Sequence, residues 1–348
     1  SLGSYELGSG EVNPPYGKDN VLLDEFFRLY FRQPMDLPST EAALSLTSIS
    51  GEPVALETLW SEDAETLVIT PTLQLALDTT YDLILAEGAQ AADGGALTAG
   101  LNFRFSTVPA PSVVSSQPAN NSRQTNYSSY FSIKFASPMN IESVKQNIVV
   151  SPRPAEEIQW WFNQWDWSLN ANFLQPSTQY SIRLMPGMAD IYGNQIQKST
   201  DLRFTTAAMP PEASLQMPYE PATFRANGPQ EFYITYRNVG SVRLQLFRLT
   251  PELFVQLESG IRSRWEYQPT ITNLVWEEEQ SSTARLNQRQ LSSFELKNND
   301  GGAVPPGFYF LALNAPGVYH TGPYVDTRLL IVGTDNVVFK SAVDEALL

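Results

Sequence analysis

A chain of 348 residues with one histidine and no cysteine has few groups from which to assemble a reactive centre. His320 stands in the turn-like run Gly317-Val318-Tyr319-His320-Thr321-Gly322-Pro323 and would have to carry any Ser/His/Asp triad or histidine metal site alone. It is therefore read as a structural or solvent-facing side chain. The missing cysteine removes disulfides, thiolate metal ligands, a thiol nucleophile and an internal thioester. No Gly-x-Ser-x-Gly elbow, phosphate-binding glycine loop or His-Glu-x-x-His pair occurs. Glu62-Asp63 and Glu277-Glu278-Glu279 could hold a cation or act as paired carboxylates, but contiguous acidic residues diverge on a strand or loop and read as solvated faces. No catalytic, cofactor or metal residue is assigned, and a non-enzyme is expected. What remains is aromatic: Trp160-Trp161-Phe162, Trp165 and Trp167, which exposed could stack on sugar rings or anchor a protein partner.

The elements that must position these residues come in two copies. Phe31-Arg32-Gln33-Pro34-Met35-Asp36 is echoed by Phe135-Ala136-Ser137-Pro138-Met139-Asn140, with Met35 and Met139 standing 104 positions apart. Asp78-Thr79-Thr80-Tyr81 matches Ser177-Thr178-Gln179-Tyr180, and Phe103-Arg104-Phe105-Ser106-Thr107 matches Leu202-Arg203-Phe204-Thr205-Thr206, both at a spacing of 99. Period-two alternation in Phe27-Arg28-Leu29-Tyr30-Phe31 and Phe131-Ser132-Ile133-Lys134-Phe135 predicts half-buried strands, stopped by Pro34 and Pro138 and followed by a methionine that can plug the end of the core. About seven short strands in some hundred residues, punctuated by turns such as Asp190-Ile191-Tyr192-Gly193-Asn194, predict an immunoglobulin-like sandwich. A spacing of 100 pairs Trp160 with Trp60 and Trp167 with Leu67 as core positions. Trp161 and Trp165 are left as the candidate interaction surface, with packing between neighbouring domains as the competing use.

From Glu212 the pattern changes. Phe232–Val239, Ser241–Leu249, Phe308–Leu313 and Leu329–Val332 read as strands, and Thr250-Pro251-Glu252 is an N-cap and first turn of a short helix running to about Ser259, ended by Gly260. The whole is expected to be all-β, three consecutive β-sandwiches: 1–20 linker, 21–108 and 109–208 the two copies, 209–338 a different sandwich, and 339–348 the start of a following domain. The net charge of −15 leaves no basic patch for nucleic acid, and no apolar run reaches the roughly 18 residues a membrane-spanning helix needs. Ser1 and the lack of a basic-then-apolar leader predict a processed or truncated piece.

Phe-x-x-Pro-Met-Asp/Asn, the Thr-x-Tyr stretch, Asp190-Ile191-Tyr192-Gly193-Asn194 and the Phe-x-Thr ending make both copies resemble the bacterial Ig-like domain. Copy two carries the whole set, while copy one has Asp93-Gly94-Gly95 in the turn and no proline before Tyr81. The third segment, through Val242–Leu249, Glu252-Leu253-Phe254 and Pro305–Ala312, resembles the macroglobulin-type sandwich of bacterial alpha-2-macroglobulin-like proteins, and Val337–Ser341 with Asp344–Leu348 resembles the entry to the next such domain. The resemblance implies the front end of a secreted, periplasmic or surface-anchored protease trap. Its partners would be proteases, met through the full-length protein, and neighbouring macroglobulin domains of the same chain. Two alternatives are an Ig-like adhesion or spacer segment and a carbohydrate-binding accessory module that uses Trp161 or Trp165.

Overall fold

The computed structural model describes residues 2–7, 19–97, 100–334, 340–341 and 346–347. In it the Phe-x-x-Pro-Met-Asp/Asn run closes a strand and opens a helix. Met35 and Met139 are buried in the cores of their copies. The next residue then caps a six-residue helix: Asp36 Oδ1 accepts from Ser39 N at 3.0 Å ahead of Leu37–Ala42, and Asn140 Oδ1 accepts from Ser143 N at 3.1 Å ahead of Ile141–Gln146. Asp and Asn interchange here because both cap well. The other repeated residues have equally definite tasks. Tyr81 OH accepts from Ala76 N and Tyr180 OH from Gln175 N, at 3.0 and 2.9 Å, tying each tyrosine to backbone just upstream. Thr107 and Thr206 each donate to that same loop, to Ala76 O and Gln175 O at 2.6 Å, while accepting from Thr79 N and Thr178 N.

These devices serve two all-β sandwiches that together form one unit, residues 1–124 with 128–206. In copy one, a sheet ordered Leu2–Leu7, Phe27–Phe31, Thr66–Pro71, Leu56–Trp60 faces Leu44–Ser48, Thr80–Leu85 and Leu101–Ser106. In copy two, Val113–Gln117, Tyr130–Phe135, Ser168–Asn172 and Trp161–Asn163 face Ile148–Ser151, Gln179–Leu184, Thr200–Thr205 and the short parallel strand Ser122–Arg123. Inward residues of the facing sheets interdigitate: Phe27, Leu29, Leu67, Tyr81 and Phe105 in one copy, Phe131, Ile133, Leu169, Tyr180 and Phe204 in the other.

Two expectations need correction. Leu2–Leu7, assigned above to the 1–20 linker, is a strand that pairs antiparallel with Phe27–Phe31, just as Val113–Gln117 pairs with Tyr130–Phe135. It covers what would otherwise be an open sheet edge, and neither it nor Val113-Val114-Ser115-Ser116-Gln117 has the alternation that announces a strand. Residues 8–18 lie outside the described part, and of 339–348 only Lys340–Ser341 and Ala346–Leu347, a short antiparallel pair, fall within it. The second correction concerns register. Trp60 pairs with Leu67 and Phe162 with Leu169, while Phe31 N donates to Glu65 O and Phe135 N to Trp167 O. Leu169 is therefore the partner of Leu67, Phe162 that of Trp60, and Trp167 stands where copy one has Glu65. The spacing between copies falls from 104 at the methionines to 102 here and 99 at the tyrosines, and a slip of two keeps the inward parity that makes such a misalignment invisible in sequence. Trp60 and Trp160 are half-buried at the margins of the two cores, not inside them.

The second unit, residues 207–348 with 125–127, has a different plan. A three-stranded sheet of Glu212–Leu215, Glu231–Arg237 and Gln290–Glu295 packs on a five-stranded sheet ordered Ala222–Arg225, Asp326–Gly333, Gly307–Asn314, Ser241–Leu249, Leu274–Ser281. The far face of the larger sheet is covered too, by the helix Pro251–Glu258 and Tyr267, which bury Phe247, Phe310 and Leu329. Burial on both faces is why Phe308–Leu313 is an unbroken apolar run. Thr250 caps the helix, accepting from Leu253 N at 3.3 Å, and Gly260 at φ +76° ends it in the left-handed region, as the sequence predicts.

Candidate interdomain joint and aromatic surface

His320 and the acidic runs each have a local setting of their own. His320 is exposed, with Nδ1 2.6 Å from Gly322 O. Asp63 bonds Ser61, and Glu277 and Glu279 line up across the strand from Arg243 at 3.8 and 2.9 Å. Among the described residues no three or more His, Cys, Asp or Glu side chains gather as a metal site would require, and no helix is long and apolar enough to cross a membrane.

The tryptophans separate into two environments. Trp161, 43% exposed, lies on the edge strand opposite Asn170, its ring 6.3 Å from that of Tyr130. Tyr130 OH donates to Asn170 Oδ1 at 2.6 Å, and Asn170 is buried beneath. Trp165, 61% exposed, sits at the tip of the hairpin, where its backbone N–H donates to Asn163 Oδ1 at 3.0 Å. Trp161 therefore meets Tyr130 and not Trp165, so the two candidates face solvent without forming one stacked platform.

Trp167 does something else. With φ at 54° it turns out of the ladder, and it is 6% exposed because it packs on Leu23 and Val108 of the first copy, with Leu22, Leu77, Phe162 and Tyr192 around it. Beside this apolar plug, Tyr192 OH accepts from Leu23 N at 3.1 Å and donates to Asp24 Oδ1 at 2.8 Å. Burial and the Asp24 carboxylate raise the phenol's pKa, so Tyr192 keeps its proton for that bond. Glu25, the end of the same turn, is buried; burial pushes its carboxyl up to about 7, the Phe26 N–H pulls it down, and neighbouring Asp24 adds to the rise. One of its oxygens has no hydrogen-bond partner. A largely apolar cleft of about 490 Å³ opens next to the joint between Leu22, Met139, Phe162, Trp167 and Ile191.

Both docking residues are departures from the repeat. Copy one has Glu65 where copy two has Trp167. It also has Asp93 before Gly94 where copy two has Tyr192 before Gly193, and the two glycines adopt matching φ of 87° and 90°. Sequence reasoning named Tyr192 only as a turn residue and missed Leu23, Asp24 and Glu25. The signal was legible at one position, Asp93 against Tyr192 at the spacing of 99, while the exchange of Glu65 for Trp167 was hidden by the slip in register.

No curated protein matches the chain. Among solved structures, alpha-2-macroglobulin from Escherichia coli, spanning domains MG0-NIE-MG1, is 15% identical with a TM-score of 0.34 over 67% of this chain and 75% of that one. A Salmonella alpha-2-macroglobulin mutant is 16% identical with a TM-score of 0.46 over 64% of this chain, which spans 13% of its length. An I-band fragment of titin is 12% identical with a TM-score of 0.25 over 96% and 98%. The bacterial Ig-like domain is matched twice, at residues 10–107 and 108–206. Those two matches take in both copies from residue 10 onward and more than half of the 348 residues, and the chain belongs to the bacterial Ig-like domain family.

Proposed function

We propose that this chain is a non-catalytic positioning segment that holds other parts of a bacterial protein outside the cytoplasm at a fixed spacing. The observation that carries the reading is the joint. A linker that lets beads swing needs no buried tryptophan and no tyrosine bridging a backbone N–H and a carboxylate, whereas Trp167 and Tyr192 are spent on holding the copies together. Domains joined without a buried apolar contact move relative to one another, and the docked Trp167 and Tyr192 support a fixed spacing.

We further propose that the parent protein is an alpha-2-macroglobulin-like protease trap, secreted or tethered to the envelope. The motifs of 209–338 following two Ig-like copies support this reading, and proteases would be met through elements other than these residues. The test is an inhibition assay. The 348-residue chain is expected neither to cleave substrates nor to inhibit proteases, while the parent should inhibit large-substrate cleavage in proportion to its molar amount. Stoichiometric inhibition by this chain alone would sink the positioning role. Absence of inhibition by the parent would leave an Ig-like spacer and remove the trap.

A further inference from the structure

A groove of about 410 Å³ in the second unit runs between Tyr219–Pro221 and the segment from Leu257 to Trp265. Behind Tyr219, one of its lining residues, lies a guanidinium held by several hydrogen bonds. Arg328 is buried, donating to Met217 O and Leu215 O at 3.1 Å and Thr327 O at 2.7 Å, and it is paired with Asp326. The Tyr219 ring lies 4.3 Å over that guanidinium, Trp265 meets Tyr219 edge to face at 6.2 Å, and Arg264 stacks 4.9 Å over Trp265 while its Nη1 donates to Tyr219 O at 2.8 Å. Gly322 lets a neighbouring loop press on this stack: a Cβ there would stand 2.2 Å from Trp265 O. A fixed stack with this composition would ordinarily be covered, yet Tyr219 is 64% and Trp265 46% exposed. Rigid Trp, Tyr and Arg open to solvent are the residues that dominate binding energy at protein interfaces.

The charges say what kind of guest fits. Asp326 is used by Arg328, and neither Arg262 nor Arg264 pairs with a carboxylate among the described residues. Arg264 Nε is buried with no partner, and buried polar groups are seldom left so. Burial, and then the charge of Arg328, holds the Arg264 pKa below its usual value, so its cation is under-compensated. Glu220 and Glu258 line the groove walls but bond to neither arginine. We propose that this groove docks an extended segment of a partner protein that brings a carboxylate to Arg264 and Arg262 and lays a proline or other apolar side chain on Tyr219 and Trp265. The proposal is independent of the protease-trap reading.

The test titrates the full 348-residue chain, by calorimetry, with a capped hexapeptide of alternating glutamate and proline, its lysine counterpart, and inorganic phosphate. The expected result is saturable binding of the acidic peptide alone. Affinity should fall about tenfold in Arg262→Gln and in Trp265→Ala, as for interface anchors, while both variants keep the circular dichroism spectrum of the folded chain. Salt supplies a second arm. Because the chain carries a net −15, adventitious contact with an acidic peptide is repulsive and strengthens as salt screens it, whereas docking on arginines weakens. No saturable binding at millimolar peptide, equal binding of the lysine peptide, indifference to Arg262→Gln, or phosphate binding as tightly as the peptide would each overturn the docking groove. The last result would leave only an anion site.

Discussion

Single residues in this chain are most informative where the two copies disagree. Met35 and Met139, Tyr81 and Tyr180, Thr107 and Thr206 do the same work twice, and their types and spacing made them legible in the sequence. Trp167 was misread as core because a pairing offset by two preserves inward parity, and its true counterpart is a glutamate. Glu25 was not singled out at all, since a lone carboxyl in a turn has no sequence signature. Its raised pKa has a definite consequence for stability. The folded state holds the Glu25 proton more tightly than the unfolded chain, so the contribution is complete below the ordinary value of 4.5 and is lost as pH rises through about 7. Melting of the wild-type chain should therefore drop between pH 5 and pH 8, and Glu25→Gln should flatten that drop and melt higher than wild type at pH 8. An identical pH profile for the two proteins would show that the carboxyl titrates normally.

Among the elements, strands with strict alternation and the Thr250-capped helix were readable, because the apolar period and the cap chemistry are local. Leu2–Leu7 was not, since an edge strand with few apolar residues is held by backbone bonds to a neighbour that sequence does not reveal. The six-residue helices after Met35 and Met139 were also missed; they are too short to show a helical period, and their only mark is the capping Asp36 or Asn140. That mark is testable. Asn140→Ala should destabilise copy two by about 1 kcal/mol, the usual loss for an N-cap, whereas Asn140→Asp should be nearly neutral. Equal losses for the two substitutions in chemical denaturation would assign Asn140 some role other than capping.

At the scale of the molecule, the all-β character and the repeat were legible from composition and periodicity, and the joint was only half so: its aromatic residues were visible, its contacts were not. The joint depends on the docking of one turn, Leu22–Glu25, against two residues that copy one lacks in the matching places. A fixed spacing between the two Ig-like copies is the claim on which the positioning role stands. The absence of native cysteine makes it directly measurable, because labels can be placed at Glu57→Cys in copy one and Lys198→Cys in copy two, both exposed. Pulsed electron paramagnetic resonance on that doubly labelled chain should give one narrow distance distribution, which broadens when Trp167→Ala and Tyr192→Phe are introduced together. A distribution already broad in the parent, or one left narrow by the double substitution, would contradict a joint fixed by these residues.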